Sequence, residues 1–175
     1  MNRKDIQWQK IGEFENKSGI MDITDPCYDK GVWCRSSFNC EPGIYNAYVD
    51  VRTDKFRYTD NGVKKVCDDT RVYSLRIVHQ EYEERKGYAT VTAWRPRFEI
   101  GNIGVDAGLC GFFDTKPDYD DDAWSEMCGL VSDNDWAVLL YGAFSSSGYG
   151  DGCYACYTWK RHSDTLCVAA ELRFI

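Results

Sequence analysis

Alternation with period two dominates the chain. The run from Thr165 to Ile175 places Leu166, Val168, Ala170, Leu172 and Phe174 on one side, with Glu171 and Arg173 on the other. That is the pattern of a strand buried on one face. Residues 71–80 alternate Tyr73, Leu75 and Ile77 against Ser74 and Arg76, and residues 88–94 are rich in β-branched and aromatic side chains. The charged stretch 81–87 between them ends in glycine and reads as the turn of a hairpin. Further strands are predicted over 19–24, 44–52, 97–100, 104–113, 136–144 and 153–160. Asp60-Asn61-Gly62 and residues 161–164 supply turns, Asn-Gly being a favoured type I′ pair. Residues 120–129 begin with three aspartates and end at Gly129, which predicts a helix. The expected fold is mainly β, an antiparallel β-sandwich or open barrel of eight to ten short strands with one short helix near residues 120–128.

A length of 175 residues fits a single β-rich domain over 1–175. The net charge of −7 opposes attraction to phosphate backbones and anionic lipid, so neither direct nucleic-acid binding nor membrane binding is expected. No apolar run approaches the ~20 residues needed to span a bilayer, and no apolar stretch follows the charged N-terminal residues. A cytoplasmic location is therefore expected. Nine cysteines, an odd number, fit reduced thiols used as small core residues. The competing zinc reading has only Cys153-x-x-Cys156 at ligand spacing, with His79 and His162 far apart.

Four segments carry candidate chemistry. Asp118-x-Asp120-x-Asp122 matches the first half of a calcium loop, but Ala123 and Gly129 stand where a glycine and a bidentate glutamate are required. Helix capping accounts for the same acids. Residues 101–114 space four glycines through a strand-like segment that contains Asp106 and ends at Asp114, as where a backbone is closely approached by another strand or a ligand. Residues 145–154 form a serine- and glycine-rich loop able to turn amides toward a polar group, yet without the Lys-Ser/Thr of a phosphate cradle or the Gly-x-Ser-x-Gly of a hydrolase. Asp25-Pro26-Cys27 ends a strand and can aim a carboxylate and a thiol at one rim.

Taken in order, Ser18-Gly19 with Ile23-Thr24-Asp25-Pro26-Cys27-Tyr28, then Val105-Asp106-Ala107-Gly108 with Gly111-Phe112-Phe113-Asp114, then Ser147-Gly148-x-Gly150-Asp151-Gly152-x-Tyr154 resemble a bacterial and phage family catalogued as a domain of unknown function, numbered four-two-four-one. The resemblance runs from Ser18 to the C-terminal strand. It departs at Arg173-Phe174-Ile175, where that family finishes with aliphatic or acidic residues, and finds no counterpart for residues 52–97. It implies a compact β-rich fold with Asp25, Asp106 and Asp151 near one end, and no established activity.

These readings converge on a rim site of Asp25, Cys27, Asp106, Asp114, Ser147, Asp151 and Tyr154. As a binding or regulatory protein, the chain would present this acidic rim to a polar small molecule or a basic protein surface. Two alternatives stay open. One is a metal-dependent hydrolase of a phosphoester-like substrate, in which the acids hold a divalent cation. The other is a phage-type acidic inhibitor of a nucleic-acid enzyme. Convergence of three carboxylates within ~5 Å of one point separates the metal reading from the others.

Overall fold

The computed structural model describes residues 8–29, 31–32, 35–87, 98–160 and 165–175. Among them are eleven strands: β1 (Trp8–Asn16), β2 (Ile20–Thr24), β3 (Arg35–Asn39), β4 (Gly43–Asp60), β5 (Val63–His79), β6 (Phe98–Val105), β7 (Leu109–Asp114), β8 (Trp136–Leu139), β9 (Gly142–Ser146), β10 (Gly152–Lys160) and β11 (Cys167–Arg173). Two helices join them, α1 (Gln80–Lys86) and α2 (Asp121–Val131). The strands pair antiparallel into a six-stranded sheet, β1-β4-β5-β11-β10-β6, and a five-stranded sheet, β3-β2-β7-β9-β8. The fold is mainly β, as the alternation predicts, and neither sheet closes on itself.

The inward positions of the two sheets make one core. Tyr45, Ala47 and Val49 of β4, Leu75 and Ile77 of β5 and Leu172 of β11 pack with Met21 and Ile23 of β2, Phe112 of β7 and Ala143 of β9. Removing such side chains from water contributes about 1.5–3 kcal/mol for each of the larger ones. Backbone bonds stitch the sheets at their margins: the Glu15 N–H donates to the Leu140 carbonyl at 3.2 Å, and the Glu41 N–H to the Cys167 carbonyl at 2.9 Å. No helix among the described residues is long and apolar enough to cross a membrane.

Helix α2 covers the outer face of the five-stranded sheet, where Met127 packs with Leu109, Phe113 and Phe144. The Asp120 side chain caps it by accepting from the Ala123 N–H at 2.9 Å. Asp121 and Asp122 follow in the first turn, where the helix dipole favours negative charge. Gly129 does not end the helix. Packing of Val131 on the same cluster outweighs the cost of about 1 kcal/mol for an interior glycine.

The outer face of the six-stranded sheet is also largely dry. Glu171, which the alternation puts on a polar side, is 2% exposed and accepts from Arg76 Nε at 3.0 Å. The Arg76 guanidinium lies 4.0 Å from the Trp8 ring centroid and 5.4 Å from that of Trp159. The charged segment expected to be a hairpin turn is instead α1, ended by Gly87 at φ 79°. Its carboxylates lead and its cations trail, and Glu83 anchors it to β4 by accepting from Asn46 Nδ2 at 2.7 Å and the Tyr48 hydroxyl at 2.6 Å. The strand expected over 88–94 and the turn at 161–164 lie outside the described residues.

Four strand predictions change in extent. The segment 104–113 is cut by a turn at 106–108, and 136–144 by one at Leu140-Tyr141. The strands expected over 44–52 and 71–80 are the inner halves of β4 and β5, which run on to a tip at Asn61 (φ 48°) and Gly62 (φ 79°). Both tip residues are left-handed, as a type I′ turn requires.

Candidate functional site

Strand direction assembles one end of the sandwich from the segments the sequence singles out. β2 ends there at Thr24, β6 at Val105, β9 at Ser146 and β11 at Arg173, while β7 and β10 begin there. Asp25 is fully buried at the centre of this rim. Its Oδ1 accepts from the Cys27 N–H at 2.9 Å, and its Oδ2 from the N–H groups of Asp106 at 2.9 Å and Ala107 at 2.7 Å. The carboxylate ties the loop after β2 to the turn before β7. Three amides engage both of its oxygens.

The neighbouring groups serve the same local structure. Asp106 accepts from the Tyr28 hydroxyl. Ser147 is buried, its N–H donates to the Gly108 carbonyl at 3.0 Å, and its hydroxyl donates to the Gly150 carbonyl at 2.8 Å. The Tyr154 hydroxyl donates to that same carbonyl at 2.6 Å, and the ring meets Phe174 edge-on. Asp151 is exposed. Cys27 is half-buried, and burial first, then Asp25, Cys128 and Asp106, push its thiol up, with Lys116 opposing them only in part. A thiol held in the protonated form is a poor nucleophile.

Asp114 does not join the rim. It closes the opposite end of β7, roughly 17 Å from Leu109 at ~3.4 Å per residue. There it accepts from the Lys17 N–H at 2.9 Å, the Ser18 N–H at 3.2 Å and the Ser18 hydroxyl. It holds the β1–β2 turn. The structure thus gathers Asp25, Cys27, Asp106, Ser147, Asp151 and Tyr154 at one end, but commits most of their polar atoms to turns. Among the described residues, no group of three or more His, Cys, Asp or Glu is placed to hold a metal ion. Cys153 and Cys156 lie on opposite faces of β10, one exposed and one buried, and share no ligand point.

Two features of this end were not predicted. Lys116 is 4% exposed and pins the segment after β7, its Nζ donating to the Pro117 carbonyl at 2.7 Å and its N–H to Asp22 Oδ2 at 3.0 Å. The larger feature is an arm. The Tyr73 carbonyl still accepts from the Phe174 and Ile175 N–H groups, but past the Val51–Val72 pair β4 and β5 have no strand partner but each other among the described residues. A two-stranded ribbon of nine residues a side therefore leaves the sandwich and reaches roughly 30 Å at ~3.3 Å per residue.

The arm is braced at its root. Arg71 donates from Nη1 to the Gly148 carbonyl at 2.9 Å, pairs through Nε with Asp69 at 2.9 Å, and lies 4.6 Å from the Tyr149 ring centroid. On the other strand Arg52 pairs with Asp50 and sits 4.5 Å from the Tyr73 centroid. Tyr73 donates to Asp54, and that bond, followed by burial, pushes its phenol up to about 12. The serine-glycine loop thus buttresses the arm.

Cross-strand register sorts the arm into two faces. Phe56 with Cys67, Tyr58 with Lys65 and Asp60 with Val63 share one; Lys55 with Asp68, Arg57 with Val66 and Thr59 with Lys64 share the other. The Phe56 and Tyr58 rings stack at 6.2 Å. Exposure is 55% at Phe56, 40% at Tyr58 and 60% at each of Val63 and Val66. The signal in the sequence is the unbroken strand character on both sides of Asn61-Gly62.

Comparison with protein-family models, with curated proteins and with solved structures gives no match.

Proposed function

We propose that the protein is a non-catalytic binding module that recognises a protein surface, with the β4–β5 arm as its recognition element and the sandwich as its scaffold. One observation carries this reading. The arm holds four large apolar side chains in water on a two-stranded ribbon, an arrangement marginal by itself and stabilised by a covering surface.

The bracing at its root supports the same reading. Arg71 and Arg52 fix the direction in which the ribbon leaves the sheet, which lowers the ordering cost that a loose loop would pay on binding. The expectation of a basic protein surface as partner draws support from residues 118–135, which hold seven acids and no Lys or Arg. The six predicted residues at the rim act, in this reading, as the frame of the arm's root. Eight described cysteines are free thiols, which supports a reducing, cytoplasmic setting. The binding reading is favoured over the phosphoester-hydrolase alternative because Asp25 is committed to three amides, Asp114 lies at the other end of β7, and no group of three or more potential ligands is placed to hold a metal ion among the described residues.

A photo-reactive phenylalanine placed at Phe56 of the full chain, irradiated in the expressing cell, tests the reading. Cross-linking to a protein from Phe56, with none from the same probe at Ile44 on the sandwich, is the expected result. Absence of any adduct at Phe56 and Tyr58 overturns it.

A further inference from the structure

We infer that the partner surface of the arm is a second copy of this chain: the distal arm of one copy docks on the acidic surface that carries α2 in the other, and the contact is returned about a two-fold axis. This rests on the arm being a recognition element.

Charge distribution chooses the occupant. Residues 55–66 hold Lys55, Arg57, Lys64 and Lys65 against Asp60 alone, a net of +3 in a chain whose total is −7. Lys55 and Lys65 pair within the arm, with Asp68 and Asp60. Arg57 and Lys64, next to each other on one face, enter no ion pair among the described residues. Their complement is on the same protein. Asp122, Glu126 and Asp133 are exposed on and just after α2 and are likewise outside every ion pair among the described residues. Desolvating two such sets together replaces self-repulsion within each by attraction between them, and it orients the encounter.

The apolar groups match as well. Tyr119 and Leu130 flank the acids at 38% and 42% exposure, so a docked ribbon can set Val66 against carbon while Arg57 and Lys64, on the same face of the ribbon, reach the carboxylates. Nucleic acid fits worse, because the three net positive charges of residues 55–66 sit on an anionic body that phosphate would also meet. A two-fold arrangement uses each arm and each acidic surface once and closes. Twelve distal arm residues together with a similar number receiving the returned arm give each copy about the 20–30 residues of a standard interface.

Sedimentation velocity on the full chain tests the assignment. The chain should sediment as a dimer at low ionic strength and dissociate as salt rises. Arg57→Glu with Lys64→Glu, and separately Asp122→Lys with Glu126→Lys, should each weaken the dimer by about tenfold or more. Mixing the two variants should restore a one-to-one dimer, since one contact is charge-swapped and the other is native. All four positions lie at the surface, and a thermal melt close to that of the parent checks folding. If either pair melts early, Arg57→Gln with Lys64→Gln replaces it, with a smaller loss expected. A chain that stays monomeric at every concentration, or a dimer indifferent to both pairs, overturns self-association. A Phe56 cross-link to a different protein in that case leaves the arm as a recognition element, whereas no cross-link removes both.

Discussion

The Asp25 carboxylate accepts from the Ala107 N–H at 2.7 Å across 82 positions of sequence. With the amides of Cys27 and Asp106 it makes three bonds from one buried charge. A hydrogen bond to a charged group contributes about 1.5–3 kcal/mol, and orphaned buried donors add their own cost. Asp25→Asn turns an amide NH₂ toward one of these donor sets. Urea unfolding should show a loss of about 3 kcal/mol. Asp106→Asn keeps an acceptor for Tyr28 and should cost less than about 1 kcal/mol. Equal losses in the two variants would mean that Asp25 is no special anchor.

Why the rim was legible and the arm was not follows from what each buries. Asp25-Pro26 stops a strand, and residues 106–108 and 147–152 carry turn chemistry, so three strand ends were visible before their directions were known. The glycine-rich segment reads as one strand, and that reading sets Asp114 at the rim. Only the turn at 106–108 reveals that Asp106 and Asp114 belong to opposite ends of β7. In the arm, Lys55, Phe56, Arg57 and Tyr58 follow one another with both faces in water, so no buried stripe imposes period two. Alternation therefore marks these strands only as far as the core extends. Helix α1 escaped for want of length, since its seven residues give fewer than two turns of periodicity and only Glu83 is buried.

Arg76 and Glu171 should behave as one unit. Both side chains are less than 5% exposed, and the guanidinium is enclosed by Trp8 and Trp159. Glu171→Gln removes the carboxylate that pairs with Arg76 and, through its other oxygen, with Arg173, and should cost about 3–5 kcal/mol. Arg76→Met combined with Glu171→Leu removes both charges and should recover most of the loss. A double-mutant cycle in denaturant measures the coupling. Simple additivity of the two single losses would refute the pair as a unit.

Stability should fall in alkali through the buried thiols. Burial pushes Cys40 from its ordinary 9.0 up to about 12, with Cys156 and the Tyr45 phenol moved in the same direction by the same cause. A raised folded-state pKa means that the native state keeps the proton longer than the unfolded chain does. The contribution is thus complete below about pH 9 and declines as pH climbs toward the folded value, by at most about 1.4 kcal/mol per pH unit for one group. Denaturant titrations from neutral pH upward should show a shallower alkaline decline in Cys40→Ala than in the parent. Identical slopes would mean that Cys40 ionises freely in the native state.

Gly111 answers the question raised by the spaced glycines of residues 101–114, and it does so for a neighbouring strand. A Cβ built there would stand 2.4 Å from the Ala143 carbonyl oxygen and 2.5 Å from Phe144 Cβ, both on β9. Neither atom is the end of a flexible side chain. Gly111→Ala must therefore push β7 and β9 apart at the middle of their ladder, next to the fully buried Phe112 and Phe144. Overpacking of this kind costs about 1–3 kcal/mol, and more where backbone must move. Gly101→Ala is the matched control, because a Cβ there meets nothing within 4 Å, though its φ of 126° charges a smaller backbone strain. Thermal unfolding should place Gly111→Ala well below Gly101→Ala. The reverse order would show that the ladder gives way easily and that the glycine is kept for its backbone alone.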